Sequence, residues 1–208
     1  MCWILSWNQL GDQQKHYLKQ QAMALCVRSD ILNTALMREK VASITSRIAN
    51  REWPQRWPEL LERLFQAAQR GLHAQTVVLL VLRNMGEETI AFNPHLPELR
   101  RQELQRGLLA CMENVFPFFR TALRTSIAAL QDKAANEAEA TESVFCALDV
   151  LTAYLDWMPV AFIFGTGLLS QLCSLLPAGR SFVLRVVPML AVAVATRKTS
   201  SIPIEHHK

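Results

Sequence analysis

Glycine is scarce in this chain, with seven in 208 residues. Strict alternation of apolar and polar residues is missing outside a few short runs. Together these absences leave little from which to build hairpins and sheets. The five cysteines (Cys2, Cys26, Cys111, Cys146 and Cys173) include no Cys-x-x-Cys spacing, their number is odd, and no Asn-x-Ser/Thr sequon occurs. Neither a disulfide framework nor a secreted protein is indicated, and an intracellular one is favoured. The start, Met1-Cys2-Trp3-Ile4-Leu5, lacks the basic region of a signal peptide.

Catalytic signatures are absent as well. The histidines (His16, His73, His95, His206 and His207) form no His-x-x-x-His pair and no other local ligand set, so no metal site is expected. No Gly-x-Ser-x-Gly elbow marks a nucleophile. Gly165-Thr166-Gly167 lacks the rest of a phosphate-binding fingerprint. The chain is read as a non-enzyme without catalytic residues or a cofactor. From Trp157 to Gly179 there is no charge at all, and that length would span a bilayer. The stretch also holds Pro159, Gly165, Gly167, Ser170, Gln171, Ser174 and Pro177, which suit a lone spanning helix poorly. A short buried helix near Leu168–Leu176 fits better, and no membrane association is expected.

What remains is abundant helix-forming sequence. Half of the residues are apolar, and Leu, Ala, Gln, Arg and Glu dominate, which points to an all-α fold of one domain or two. The periodicity predicts helices over 12–28, 30–50, 59–70, 73–88, 97–131 (interrupted at Phe116-Pro117), 141–157, 168–176 and 180–196. Tyr17, Leu18, Met23, Leu25 and Cys26 are the expected buried positions of the first. The second carries Ile31, Leu36, Met37, Val41, Ile44 and Ile48. Residues 92–97 read as a loop. Residues 132–142, small and acidic with no large apolar side chain, read as an exposed linker between helices, with a helical continuation at one end open. The end of the chain, 199–208, reads as a disordered tail.

The most distinctive stretch is Arg51-Glu52-Trp53-Pro54-Gln55-Arg56-Trp57-Pro58. A residue before proline is pushed away from the helical region, so Trp53 ends one helix. Pro58 fits the first turn of the next, where its missing N–H costs nothing. Two indoles then close the corner, a packing role in the first instance. Net charge is only +4, which solubility alone explains. Arg100, Arg101, Arg106, Arg120 and Arg124 are the candidate phosphate or partner contacts, because a guanidinium binds two oxygens at once. Interspersed Glu98, Glu103 and Glu113 dilute that field, and a solvated helix surface is the plainer reading.

The double Trp-Pro closely resembles the helix-turn motif of exportins, nuclear transport receptors of the importin-beta superfamily. Trp7, Tyr17-Leu18-Lys19, the 41–50 helix and Leu60-Leu61 resemble the exportin five pattern. So do Leu80-Val81-Leu82-Arg83, Arg100-Arg101-Gln102-Glu103-Leu104-Gln105 and Leu155-Asp156-Trp157. The resemblance covers about Trp3 to Lys198. It implies a HEAT-repeat α-solenoid over 1–198, a right-handed superhelix segment of armadillo type. It also implies a receptor that shuttles between nucleus and cytoplasm, passes nuclear pore proteins, and loads cargo together with the small GTPase Ran in its GTP form. For exportin five the implied cargo is structured, double-stranded or hairpin RNA of the precursor microRNA kind. A full receptor is several times longer, so the chain is expected to be a fragment, truncated isoform or partial gene model of the N-terminal-to-middle region. The matching motif positions, Trp53, Pro54, Trp57 and Pro58, are corner-packing residues. The reading kept beside this one is a general α-solenoid scaffold that binds proteins, without a Ran or RNA role.

Overall fold

In a computed structural model, the structure describes residues 7–90, 96–132, 136–155 and 157–200. Every regular element among them is helical. In chain order these are α1 (Asp12–Leu25), α2 (Ala35–Glu52), α3 (Leu60–Ala68), α4 (Leu72–Ile90), α5 (Glu98–Ala110), α6 (Met112–Gln131), α7 (Glu137–Leu155), α8 (Val160–Phe164), α9 (Leu168–Ser174), a 3₁₀ turn (Leu176–Ala178) and α10 (Arg180–Ser200). The chain divides into two compact units, Met1–Val150 and Leu151–Lys208.

In the first unit helices pack against near neighbours in sequence. α1 lies against α2 and α3; α4 receives α2, α3, α5 and α6; α5 lies against α6. Helix α4 is central because its middle is apolar on every side, and Val77 through Leu82 are all buried. That settles the ambiguity of a continuous apolar run in favour of a helix enclosed by others. Buried Gln75 is satisfied: its amide donates to Ser126 Oγ at 2.9 Å and to Ser143 Oγ at 3.3 Å, linking α4 to α6 and α7.

Several expectations are corrected. Helix α2 starts at Ala35, not Asp30, because Thr34 caps it, its Oγ1 accepting the Met37 N–H at 3.3 Å. Pro58 lies in the turn ahead of α3, which begins at Leu60. The 97–131 stretch breaks at Cys111, and Pro117 lies inside α6. Buried Phe116 and Phe119 flank Pro117, and their burial outweighs one missing hydrogen bond. The linker read over 132–142 does continue helical at one end, from Glu137 onward, but it is not exposed throughout, since Ala140 is fully buried. Most of the loop expected over 92–97 (its residues 92–95) and the link residues 133–135 lie outside the described residues, as do Asp156 and 201–208. α10 runs to Ser200, through the first two positions of the expected tail.

Side-chain placement differs from the periodic reading in one consistent way. Tyr17, Leu36, Met37 and Ile44, expected in the core, are exposed. The face of α2 that is buried instead carries Arg38, Val41, Thr45, Ile48 and Glu52. Three of these five are polar: Thr45 donates to the Val41 carbonyl one turn back, whereas Arg38 and Glu52 find charged partners far away in sequence.

The second unit is smaller. α8, α9 and α10 lie against one another, with Leu168, Leu172, Phe182, Val186 and Met189 buried. Gly167 starts α9 with φ of 76°, a left-handed conformation that glycine adopts without strain. Trp157 donates its Nε1 proton to the Ala153 carbonyl at 3.0 Å, and its ring lies 4.7 Å from that of Tyr154. Among the described residues no helix is long and apolar enough to cross a membrane.

Candidate functional site

Two constellations in the first unit bring together charged residues from distant parts of the sequence: the Trp-Pro corner and a groove bounded by α2, α4 and α7. At the corner, Trp53 and Trp57 are 1% and 0% exposed. Trp53 caps α2, its N–H donating to the Ala49 carbonyl at 2.9 Å, and the Trp53–Pro54 peptide is cis. Helix α5 approaches so closely that a Cβ on Gly107 would stand 2.8 Å and 2.9 Å from two carbons of the Trp53 indole. Only glycine admits that approach.

The corner is locked from two sides by charge. Glu52, buried at the end of α2, accepts the Trp7 Nε1 proton at 3.0 Å and a Lys19 Nζ proton at 3.3 Å. The same ammonium donates to the Arg56 carbonyl at 2.7 Å and lies 5.9 Å above the Trp57 ring, so it is held by an anion, a carbonyl and a π face together. On the other side Arg100 donates its Nε proton to the Asn50 carbonyl at 2.9 Å and Nη1 protons to Gln55 at 3.0 Å and Glu103 at 2.8 Å. Its Nη2 donates to the Trp53 carbonyl. One guanidinium thus satisfies carbonyls that the end of α2 leaves open.

The other predicted arginines lie elsewhere. Arg101 pairs with Glu98 on its own helix. Arg106 and Arg124 are exposed, and Arg120 is half-buried. Arg120 and Arg124 stand one turn apart on α6. The structure therefore turns Arg100 inward onto the corner motif and does not join the five into one surface. Pro54 is half-buried and Pro58 exposed, so the four motif residues split into two buried indoles and two outer prolines.

The groove is an open cleft of about 810 Å³. Ala35, Ala138, Phe145 and Cys146 give it apolar surface, and Glu39, Glu137, Glu142 and Asp149 line it with carboxylates against a single lining guanidinium, Arg83. At its edge the buried Arg38 forks onto both oxygens of Glu142 and donates to the Leu32 carbonyl at 2.6 Å. Arg83 is shared among Glu39 at 3.3 Å, Glu87 at 3.7 Å and Asp149 at 4.0 Å. The field is felt at Cys146. Burial pushes its thiol up to about 12, with Glu142, Asp149 and Glu39 raising it further and Arg83 alone opposing them. Cys26, buried with its sulfur 3.6 Å from Thr45 Oγ1, is pushed up to about 11, mainly by burial. Neither is a reactive thiolate near neutral pH.

Sequence reasoning missed Trp7, Lys19, Arg38, Glu52, Arg83 and Glu142 as structural charge partners. A signal existed for some of them: Arg38 and Glu52 fall in helical phase with Val41, Thr45 and Ile48. Among the described residues no group of three or more His, Cys, Asp or Glu residues could hold a metal ion.

Comparison with known proteins places these features. The profile of the Exportin 1-like protein family matches residues 34–186, a span that includes both the corner and the groove. The chain is similar to Exportin-5 of Homo sapiens, 30% identical over 182 residues, which is 82% of this chain and 15% of that protein. It is similar to Protein HASTY 1 of Arabidopsis thaliana, 24% identical over 94% of this chain and 17% of that one. Exportin-1 of Schizosaccharomyces pombe is 21% identical over 78% of this chain and 14% of its own length. The chain thus spans about one sixth of the length of these relatives. Its helices form a HEAT-type α-solenoid segment, and the chain belongs to the Exportin 1-like protein family.

Proposed function

We propose that this chain is part of a nuclear export receptor that binds Ran in the GTP form and structured RNA cargo, and moves between nucleus and cytoplasm past nuclear pore proteins. The observation that carries this reading is the 30% identity to Exportin-5 over 182 residues, a span long enough to hold several successive helix pairs. The role is binding and transport, without a catalytic step. RNA duplex recognition by such a surface works through shape and phosphate charge, not base sequence. Arg106, Arg120 and Arg124 are the residues this reading assigns to phosphate, since Arg100 and Arg101 have carbonyl and carboxylate partners.

A pull-down tests it: the chain against Ran loaded with GTP or GDP, with and without a hairpin RNA. Retention only with GTP, strengthened by the hairpin, supports the reading. RNA affinity should also fall steeply with salt, because each neutralised phosphate releases counterions. No retention in any lane would assign those activities to other parts of a longer receptor. The second reading, an α-solenoid scaffold that binds proteins without Ran or RNA, is favoured by the excess of carboxylates in the groove. Salt-insensitive, weak RNA binding would select it.

A further inference from the structure

We propose that the groove bounded by α2, α4 and α7 is a docking site for a basic protein segment, one that carries arginine or lysine with small apolar side chains between them. The occupant follows from charge complementarity on an apolar floor. Phe145, Ala138 and Ala35 offer surface for aliphatic groups, while Glu39, Glu137 and Asp149 stand around them. Glu142 is already forked by Arg38, so Glu39 and Glu137 set the sign of the opening.

The protein's own Arg83 shows what this opening accepts. Its guanidinium is held by Glu39, Glu87 and Asp149 at 3.3, 3.7 and 4.0 Å, longer than the roughly 2.7–2.9 Å of a close charge-assisted bond. Arg83 is thus held loosely, and of its partners Glu39, 48% exposed, lines the groove with the most side-chain surface open. A second cation from a partner adds attraction without displacing the first. A phosphate backbone meets the opposite field, so nucleic acid is repelled from this face. The inference goes beyond the Ran and RNA reading and does not depend on it.

The test uses the full chain and two fluorescent peptides, one alternating arginine with alanine and one alternating glutamate with alanine. The arginine peptide is expected to bind, more weakly as salt rises. The double change Glu39→Gln with Glu137→Gln is expected to weaken it roughly tenfold, the sum of two rim ion pairs. Ala138→Trp, which fills the groove without altering charge, is expected to abolish binding while leaving the melting temperature and any hairpin-RNA binding unchanged. Binding that survives Ala138→Trp overturns the proposal, because attraction would then be general to the acidic surface. Equal binding of the glutamate peptide overturns it, as does a hairpin RNA that displaces the arginine peptide. A failed Ran pull-down with intact arginine-peptide binding would move Ran and RNA binding to other parts of a longer receptor and leave this inference standing.

Discussion

The corner and the groove use the same residue types to opposite ends. At the corner Lys19, Glu52 and Arg100 are drawn inward, and their partners are backbone carbonyls, an indole N–H, a glutamine, a ring face and one another. In the groove Glu39 and Asp149 keep between a third and about half of their side-chain surface exposed, around an Arg83 that they share with Glu87 beside it. The difference teaches where charge holds this fold and where it remains available. A buried ion contributes through complete pairing, and removing one partner costs far more than the pair contributes. An exposed pair contributes little either way.

That contrast can be broken most severely at the indole. Trp53→Ala is expected to cost about 3–5 kcal/mol, read as a fall in the denaturation midpoint, because a fully buried ring leaves a cavity beside Gly107. A melt like that of the unaltered chain would refute the account of the corner. Next comes the buried guanidinium at the groove's edge. Glu142→Ala strands Arg38, whose side chain is 4% exposed, and about 3 kcal/mol of destabilisation is expected. Glu39→Gln, in the lining of the same groove, is expected to move stability by less than about 0.5 kcal/mol. Comparable losses for the two would erase the distinction drawn above.

The smallest effect is on alkaline stability. Both Cys26 and Cys146 have folded values raised above the ordinary 9.0, to about 11 and about 12. The folded state therefore holds these protons longer than the unfolded one. Their contribution is fully present below pH 9 and is lost as pH rises through about 11 to 12. Stability measured between pH 9 and 12 should decline, and a Cys26→Ala, Cys146→Ala chain should decline less. Equal slopes would show that other groups set the alkaline limit.

Much of the fold was legible. Helix class, most helix positions and the turn at Trp53-Pro54 follow from local chemistry: glycine scarcity, apolar periodicity and the restriction that proline places on its predecessor. Thr34 as a cap and Cys111 as a break were less visible. Capping competes with neighbouring polar residues in the same turn, and Pro117 looked like the stronger interruption until Phe116 and Phe119 anchored α6 on both sides of it.

The candidate site was legible only as a motif. The sequence by itself determined that two indoles lie at a turn between helices, since that requires only residues within eight positions of one another. It also determined the all-α class, because no other structure suits this composition. Tertiary structure alone decided that Arg100 closes the corner, that Arg38 reaches Glu142 across 104 positions, and that Tyr17, Met37 and Ile44 face solvent. Which face of a helix is buried depends on the neighbour it meets. A polar residue can lie on that face when a distant partner compensates its lost hydration, and one helix's periodicity carries no record of that partner.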